Sequence, residues 1–273
     1  MKTSPRHSAF TLIEMLVVIA IIGILAAVSL PTISGWGKGN VMLASTRQML
    51  DDVQRARQYA ISQRTTVYMV FCPSNFWSDS LRVVGLNRYT VLPATETVKG
   101  EKLYGKQLNS YNFVTLRSVG EQPGKVSPRY LSSWKTLPEG ATIAEWKFGP
   151  RNTSRDFTNP PGSLLSSDVF TVRGFARTNT IPFPSSDAAL TTAPYVTLPY
   201  IAFNHLGQPE SGEDEFIPLA KGTVGYSRDA NRVATQDAPT ITESPPNNSI
   251  NAFTIVRIDK LTGRARLEKQ EFK

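Results

Sequence analysis

The chain has 273 residues, of which 40% are apolar, so it can bury the core of one large domain or two small ones. Its 19 prolines and 18 glycines favour many turns and short strands over a helical bundle. The single cysteine, Cys72, excludes a disulfide within the chain. Cys72 closes a β-forming run, and a lone cysteine in that position is typical of a buried strand residue.

A polar leader and a long apolar run open the chain. Residues 1–9 (MKTSPRHSA) are basic, and residues 10–30 contain one ionisable side chain, Glu14. As a helix the apolar run is about 32 Å long, enough for a hydrocarbon core about 30 Å thick. In a secretory signal peptide the apolar run is shorter, and the small residue of the cleavage site follows it. Here the small residue, Ala9, precedes the apolar run. We therefore expect a leader, a single transmembrane helix, a cytoplasmic N-terminus and an extracytoplasmic remainder.

Glu14 is an unusual residue for such a helix. A charge at the membrane centre costs about 2.5–3.5 kcal/mol. Glu14 lies four residues after Phe10, about 6 Å along a helix. Cleavage after Ala9 would create an ammonium at Phe10, of this or a neighbouring subunit, and the two charges could offset each other's desolvation. Alternatively, Glu14 reaches the membrane interface near the helix start, and the residues alone leave both readings open.

The segment Ala9-Phe10-Thr11-Leu12-Ile13-Glu14, followed by MLVVIAIIGILAAVSLP, closely resembles the prepilin signature of type IV pilins and type II secretion pseudopilins. The resemblance implies cleavage before Phe10 by a prepilin peptidase and N-methylation of the new terminus. It also implies that Glu14 guides assembly by pairing with a neighbour's amine. The implied partners are other pilin subunits, the peptidase and inner-membrane lipid. Ala9 stands where the family usually has glycine.

Residues 31–40 (PTISGWGKGN) predict a Gly-rich linker. Gly35, Gly37 and Gly39 alternate, and each costs roughly 1 kcal/mol in a helix interior. A flexible joint that acts during assembly is the alternative, and we favour the simple linker. The glycine string does not indicate a nucleotide site, because no strand precedes it.

The spacing predicts an amphipathic helix over residues 41–64. Its apolar residues recur mostly at three- and four-residue intervals: Met42, Met49, Leu50, Val53, Ala56, Ala60 and Ile61. The stripe favours the seat of a globular domain over a binding face. Residues 66–71 (TVYMVF) are rich in β-formers and predict the first strand. A long N-terminal helix packed on a mainly antiparallel, β-rich domain over residues 41–273 is an α+β fold, and the resemblance makes it pilin-like.

Further strands are predicted beyond the first. They lie near residues 81–92, 111–117, 141–148, 168–173, 195–204, 215–226 and 252–258. After the last one, the turn Lys260-Leu261-Thr262-Gly263 and the run RARLEK predict a hairpin with Gly263 at positive φ. Three stretches rich in Pro, Ser and Asn predict surface loops: residues 149–167, 176–194 and 227–250.

The globular part resembles a narrower family. The strings ARQYAISQRTTVYMVF, YIAFNHLGQP, EFIPLAKG and IVRIDKLTGRARL are similar to the GspH/FimT minor pseudopilins. The stretch WKTLPEG resembles a motif of large pilin-like proteins of the Verrucomicrobia type. The resemblance implies a minor subunit near a filament tip, and neither it nor the residues decide between a secretion pseudopilus and a pilus.

Enzyme chemistry has little support in the sequence. After removal of the leader, the chain keeps one histidine, His205, and one cysteine. Catalytic dyads, zinc-ligand pairs and a nucleophile elbow are absent as motifs, so we expect neither an enzyme nor a cofactor. The acidic run at residues 210–215 (ESGEDE) could bind calcium through its oxygens, but such a run is more typical of a solvated turn.

DNA binding is the alternative from another class. Without Lys2 and Arg6, the chain has 28 basic and 22 acidic side chains, net +6. Gly263-Arg264-Ala265-Arg266 resembles the G-R-x-R motif of DNA-uptake minor pilins. In a strand, Arg264 and Arg266 would point to one face and could contact successive phosphates. The alternative is ordinary hairpin chemistry with arginines toward solvent, and we favour an assembly subunit.

Overall fold

The computed structural model describes residues 12–77, 94–117, 120, 127–158, 169–176, 178–183, 195–196 and 198–269. Within these ranges, the side chains of residues 26–40, 95–96, 158, 182 and 195–196 are not described. The chain divides into two compact units, Met1–Val41 and Met42–Lys273.

The first helix, α1, spans Leu12–Gln63. It continues through residues 31–40, which the sequence predicts as a linker. Glycine lowers the stability of a helix, but its backbone can still adopt helical dihedral angles. In the part of the chain that the structure describes, no helix is both long enough and apolar enough to cross a membrane. The span over residues 10–30 and the boundaries of leader, linker and domain remain predictions.

Among the residues that the structure describes, fourteen strands and several short helices follow α1. The strands are β1 (Val67–Phe71), β2 (Ser110–Thr115), β3 (Arg129–Tyr130), β4 (Lys135–Thr136), β5 (Ala141–Ile143), β6 (Ser154–Thr158), β7 (Val169–Arg173), β8 (Ile181–Pro182), β9 (Tyr195–Val196), β10 (Tyr200–Phe203), β11 (Glu215–Gly225), β12 (Thr240–Glu243), β13 (Thr254–Ile258) and β14 (Ala265–Lys269). The helices are α2 (Ala94–Glu101), α3 (Asn248–Asn251) and two 3-10 turns, Tyr104–Lys106 and Glu145–Phe148.

The described strands form two five-stranded sheets, which make up the body of the second unit. The first has the order β10-β1-β2-β3, with β4 also pairing β2. The second has the order β12-β11-β13-β14, with β5 also pairing β11. Two hairpin-like pairs, β6-β7 and β8-β9, complete the arrangement, and every pairing of described strands is antiparallel. The predicted α+β class with a mainly antiparallel domain is therefore confirmed.

The main core lies between α1 and the two sheets. The helix contributes four fully buried apolar side chains at helical spacing: Met49, Val53, Ala56 and Ala60. The first sheet packs against them with Met69 and Phe113, and the second with Ile217 and Val256. The apolar stripe of the predicted helix is thus the seat of the domain, because its residues share one side of the helix.

The outer face of each sheet carries its own smaller core. On the second sheet, four aromatic rings stack in sequence, with centroids 5.3 to 5.7 Å apart: Trp146, Phe157, Phe170 and Phe216. This column attaches the β6-β7 pair to β11. The prediction that residues 149–167, 176–194 and 227–250 are only surface loops was wrong where they form strands. β6 lies in the first stretch, β8 in the second and β12 in the third, and Ile181 of β8 is fully buried.

Most of the remaining strand predictions agree with the structure where it describes them. The strand predicted near residues 141–148 was wrong in its second half, which is the 3-10 turn Glu145–Phe148, and the one predicted near 195–204 is divided into β9 and β10. β2, β7, β11 and β13 coincide with predicted segments to within a few residues. Cys72 follows β1 directly and is fully buried, as predicted. The strand predicted near residues 81–92 lies outside the described residues.

Candidate functional site

The start of α1 presents an apolar surface. Every side chain from Leu12 to Leu25 is exposed in the single chain, with Leu12 at 83% and Ile19 at 69%. Glu14 lies in the first turn, where a carboxylate also interacts favourably with the helix dipole. An exposed aliphatic surface of this size is typical of a site that contacts another protein or a membrane. Ala9 and Phe10, the predicted processing residues, lie outside the described residues.

The hairpin of β13 and β14 holds the two arginines that the sequence singled out. Its turn is ordered by Asp259, whose Oδ1 accepts hydrogen bonds from the backbone N–H groups of Leu261 and Thr262 and from the Thr262 hydroxyl. The Thr262 bonds lower the pKa of Asp259. Gly263 closes the turn at φ +64°, as predicted.

Arg264 and Arg266 are both exposed, but they differ in their surroundings. Arg266 Nε donates to Glu268 Oε1 at 2.9 Å. Glu268 also lies 3.6 Å from the guanidinium of Arg257, which binds the carboxylate of Asp214 at 2.9 Å through its Nε. The charge of Arg266 is therefore offset within the hairpin, while Arg264 precedes β14 and interacts with the turn through its backbone.

The acidic run 210–215 binds arginines. Glu213 lies 2.9 Å from Arg173, and Glu215 lies 3.3 Å from Arg151. Carboxylates directed at guanidinium groups do not converge on a common point where a cation could sit. Among the described residues, no group of three or more His, Cys, Asp or Glu side chains could hold a metal ion.

A buried lysine lies behind this charge cluster. Lys147 is 1% exposed, its Nζ donates to the backbone carbonyl of Arg173 at 2.6 Å, and it lies 4.6 Å from the centre of the Phe175 ring. Burial lowers the pKa of Lys147 to about 8. An open cavity of about 560 Å³ adjoins the cluster and is lined by Arg151, Tyr200 and Glu210 among others. Burial raises the pKa of Glu210.

Comparison with known proteins bears on the N-terminal segment. A family model described as the prokaryotic N-terminal methylation motif matches residues 4–30. The chain carries a type IV prepilin-like signal. No curated protein and no solved structure matches the chain. The likeness of the globular part to the GspH/FimT pseudopilins therefore remains a prediction.

The prepilin-like signal contains the three residues that the sequence assigned to processing and assembly, Ala9, Phe10 and Glu14. The individual roles of these residues remain predictions. The signal ends at residue 30, so it covers the apolar run and none of the second unit.

Sequence reasoning missed a buried ionic contact in the second unit. Asp52 is 3% exposed and accepts a hydrogen bond from the hydroxyl of Tyr111 at 2.6 Å. Its other oxygen binds Lys135 Nζ and lies 3.3 Å from Arg55. Burial is the main cause of the raised pKa of Tyr111, so its hydroxyl stays protonated and donates. The contact joins α1 to β2 and β4. No local pattern in the sequence predicts it.

Proposed function

We propose that this chain is a minor pilin or pseudopilin subunit of a type II secretion pseudopilus or a type IV pilus-like filament. The observation that carries the proposal is the prepilin-like signal over residues 4–30. Two features of the structure support it: the exposed apolar start of α1, and a β-rich domain seated on the later part of the same helix. The role is structural, and it requires no cofactor.

In this proposal, a prepilin peptidase cuts between Ala9 and Phe10 and the new terminus is methylated. The apolar side chains from Leu12 to Leu25 contact lipid before assembly and neighbouring helices afterwards. The subunit is anchored in the inner membrane with a cytoplasmic N-terminus and an extracytoplasmic domain. Glu14 pairs with the ammonium of a neighbouring Phe10, which offsets the desolvation of both charges.

Processing is tested by mass spectrometry of the protein isolated from cells that contain a prepilin peptidase. The expected N-terminal peptide begins at an N-methylated Phe10. An intact leader in such cells would contradict the proposal, and cells without the peptidase provide the control.

Assembly is tested by Glu14→Leu. We expect membrane insertion to be kept or improved, because a costly carboxylate is removed. Incorporation into filaments should nevertheless fall, because the ammonium of the neighbouring subunit loses its partner. The matched control is Met15→Leu, which changes an exposed apolar neighbour. Equal incorporation of the two variants, measured in sheared filament fractions, would show that Glu14 has no role in assembly.

We propose assembly in preference to DNA capture, because Arg266 is already bound to Glu268. Replacing Arg264 and Arg266 by alanine should leave the affinity for duplex DNA unchanged, as should the control pair Arg228→Ala and Arg232→Ala. If both hairpin arginines contacted phosphates, their loss would flatten the log–log salt dependence of binding by roughly 2 units. A flattening confined to the hairpin variant would favour DNA capture.

A further inference from the structure

No described strand pairs with the outer edge of β14. Within the part of the chain that the structure describes, β14 pairs only with β13. Next to the turn, Asp259 N–H donates to the carbonyl of Arg264 at 3.0 Å. Because antiparallel pairs alternate between bonded and non-bonded, the backbone groups of Arg266 and Glu268 also point to β13. The backbone N–H and C=O groups of Ala265, Leu267 and Lys269 therefore point outward.

We propose that this edge pairs with the same edge of a second copy of the chain, antiparallel, about a two-fold axis at Leu267. The three outward residues are spaced evenly about Leu267, so Leu267 would exchange two hydrogen bonds with Leu267 of the second copy. Ala265 would likewise pair with Lys269. Between these bonded pairs, Arg266 would face Glu268 of the second copy at the closer, non-bonded position, where side chains interact most strongly.

The charges of the strand select this register. Pairing centred on Ala265 would place Arg264 opposite Arg266 of the second copy. Pairing centred on Lys269 would place the two lysines directly opposite each other. Like charges opposite each other destabilise a strand pair. Pairing centred on Arg266 or on Glu268 would place that residue opposite its own equivalent. Of these five two-fold registers, which all pair outward backbone groups with outward ones, only the one centred on Leu267 places opposite charges together without facing like charges.

The side chains suit a second copy as the occupant. Arg266 is 61% exposed, and its partner Glu268 is 17% exposed at the rim of the sheet. Leu267 is 40% exposed on the other face of β14, so pairing would cover it against its own equivalent. Open strand edges are commonly protected by charges that repel a partner, whereas here the charges complement a second copy. A two-fold contact uses both edges and closes at two chains. The inference goes beyond the proposed filament subunit, because it adds a paired contact through the globular unit.

Disulfide trapping in the full-length chain in detergent tests the geometry. Residues in a bonded antiparallel pair have Cα atoms about 5.5 Å apart, within disulfide range. Leu267→Cys should give a disulfide-linked dimer on mild oxidation. Leu261→Cys, which is exposed in the turn of the same hairpin, is the matched control and should remain monomeric on a denaturing gel. The native Cys72 is fully buried and should give no dimer. Equal dimer at residues 261 and 267 would overturn the proposal.

Charge exchange tests the register. In the Leu267→Cys background, Arg266→Glu should suppress the crosslink, because two carboxylates would then face each other, and Glu268→Arg should suppress it through two facing arginines. The double variant Arg266→Glu with Glu268→Arg restores opposite charges and should restore the crosslink. Circular dichroism of each variant checks that the fold is kept. A double variant that crosslinks no better than the single ones would overturn the two-fold pairing.

Discussion

Asp52 is a carboxylate on the buried side of an amphipathic helix. Its neighbours along the apolar stripe are fully buried, and Asp52 itself is 3% exposed. A buried charge is tolerated when it is paired and hydrogen-bonded. Tyr111 and Lys135 supply those bonds from two different strands, and Gln48 donates to the Tyr111 hydroxyl at 3.0 Å. The carboxylate therefore fixes the position of the first sheet along the helix.

We expect Asp52→Asn to lower the free energy of unfolding by about 1–3 kcal/mol, because Lys135 loses its counter-charge in a largely desolvated position. The matched control is Asp51→Asn, an exposed neighbour on the same turn, which should change stability by less than about 0.5 kcal/mol. Urea denaturation followed by fluorescence measures both. Similar losses for the two variants would mean that the buried pair contributes nothing beyond surface charge.

At the scale of elements, the C-terminal hairpin is tied to the end of α1 through its turn. Arg57 Nε donates to the carbonyl of Thr262, and Gln208 Nε2 donates to the carbonyl of Leu261, each at 2.8 Å. Gly263 lies against the backbone of Gly207, so close that a Cβ there would overlap the Gly207 carbonyl oxygen. Gly207 in turn lies against the side chains of Arg57 and Ile61.

Gly263→Ala should therefore destabilise the domain through two effects, a left-handed backbone and a steric overlap. The left-handed conformation alone costs a non-glycine residue roughly 1–2 kcal/mol. Gly212→Ala separates the two effects, because Gly212 has a similar φ of +68° and open space around its Cβ position. Thermal unfolding should show a larger loss for Gly263→Ala. Equal losses would mean that the loop moves aside without cost.

Local patterns in the sequence predicted the elements that depend on local chemistry. The β13-β14 hairpin was predictable because its alternation and its turn glycine lie within a few residues of each other. The contacts of Asp52 join residues 59 and 83 positions apart, which no local pattern encodes. β6 was missed because it is held by contacts with residues outside the strand. Its Phe157 stacks between Trp146 and Phe170.

The features of the candidate site also differ in whether the sequence alone could predict them. The prepilin-like signal is contiguous and could be recognised directly. The neutralisation of Arg266 could have been suspected from Glu268 two residues later, since alternate residues of a strand share a face. Asp214 binds Arg257 across the sheet. This contact depends on the fold, so the sequence alone could not predict it.

At the scale of the whole molecule, the second unit has a hydrophobic core of its own. The core of the second unit, Met42–Lys273, begins at Met49 on its helix and includes both sheets. The described helix residues of that core all lie within the unit, and the described side chains of the first unit, at residues 12–25, are exposed. Folding of the second unit should therefore not require the first.

We expect a fragment that begins at Met42 to fold, with a β-rich circular dichroism spectrum and a cooperative thermal transition. A second fragment that begins at Arg64 keeps every strand but lacks Met49, Val53 and Ala60. It should lose that transition, because three of the fully buried helix side chains that pack against the two sheets are gone and the inner face of each sheet is exposed to water. Circular dichroism and differential scanning calorimetry of the two fragments compare them directly. A cooperative transition in the Arg64 fragment would show that the sheets form a core without the helix, and its absence in the Met42 fragment would show that the second unit depends on the first.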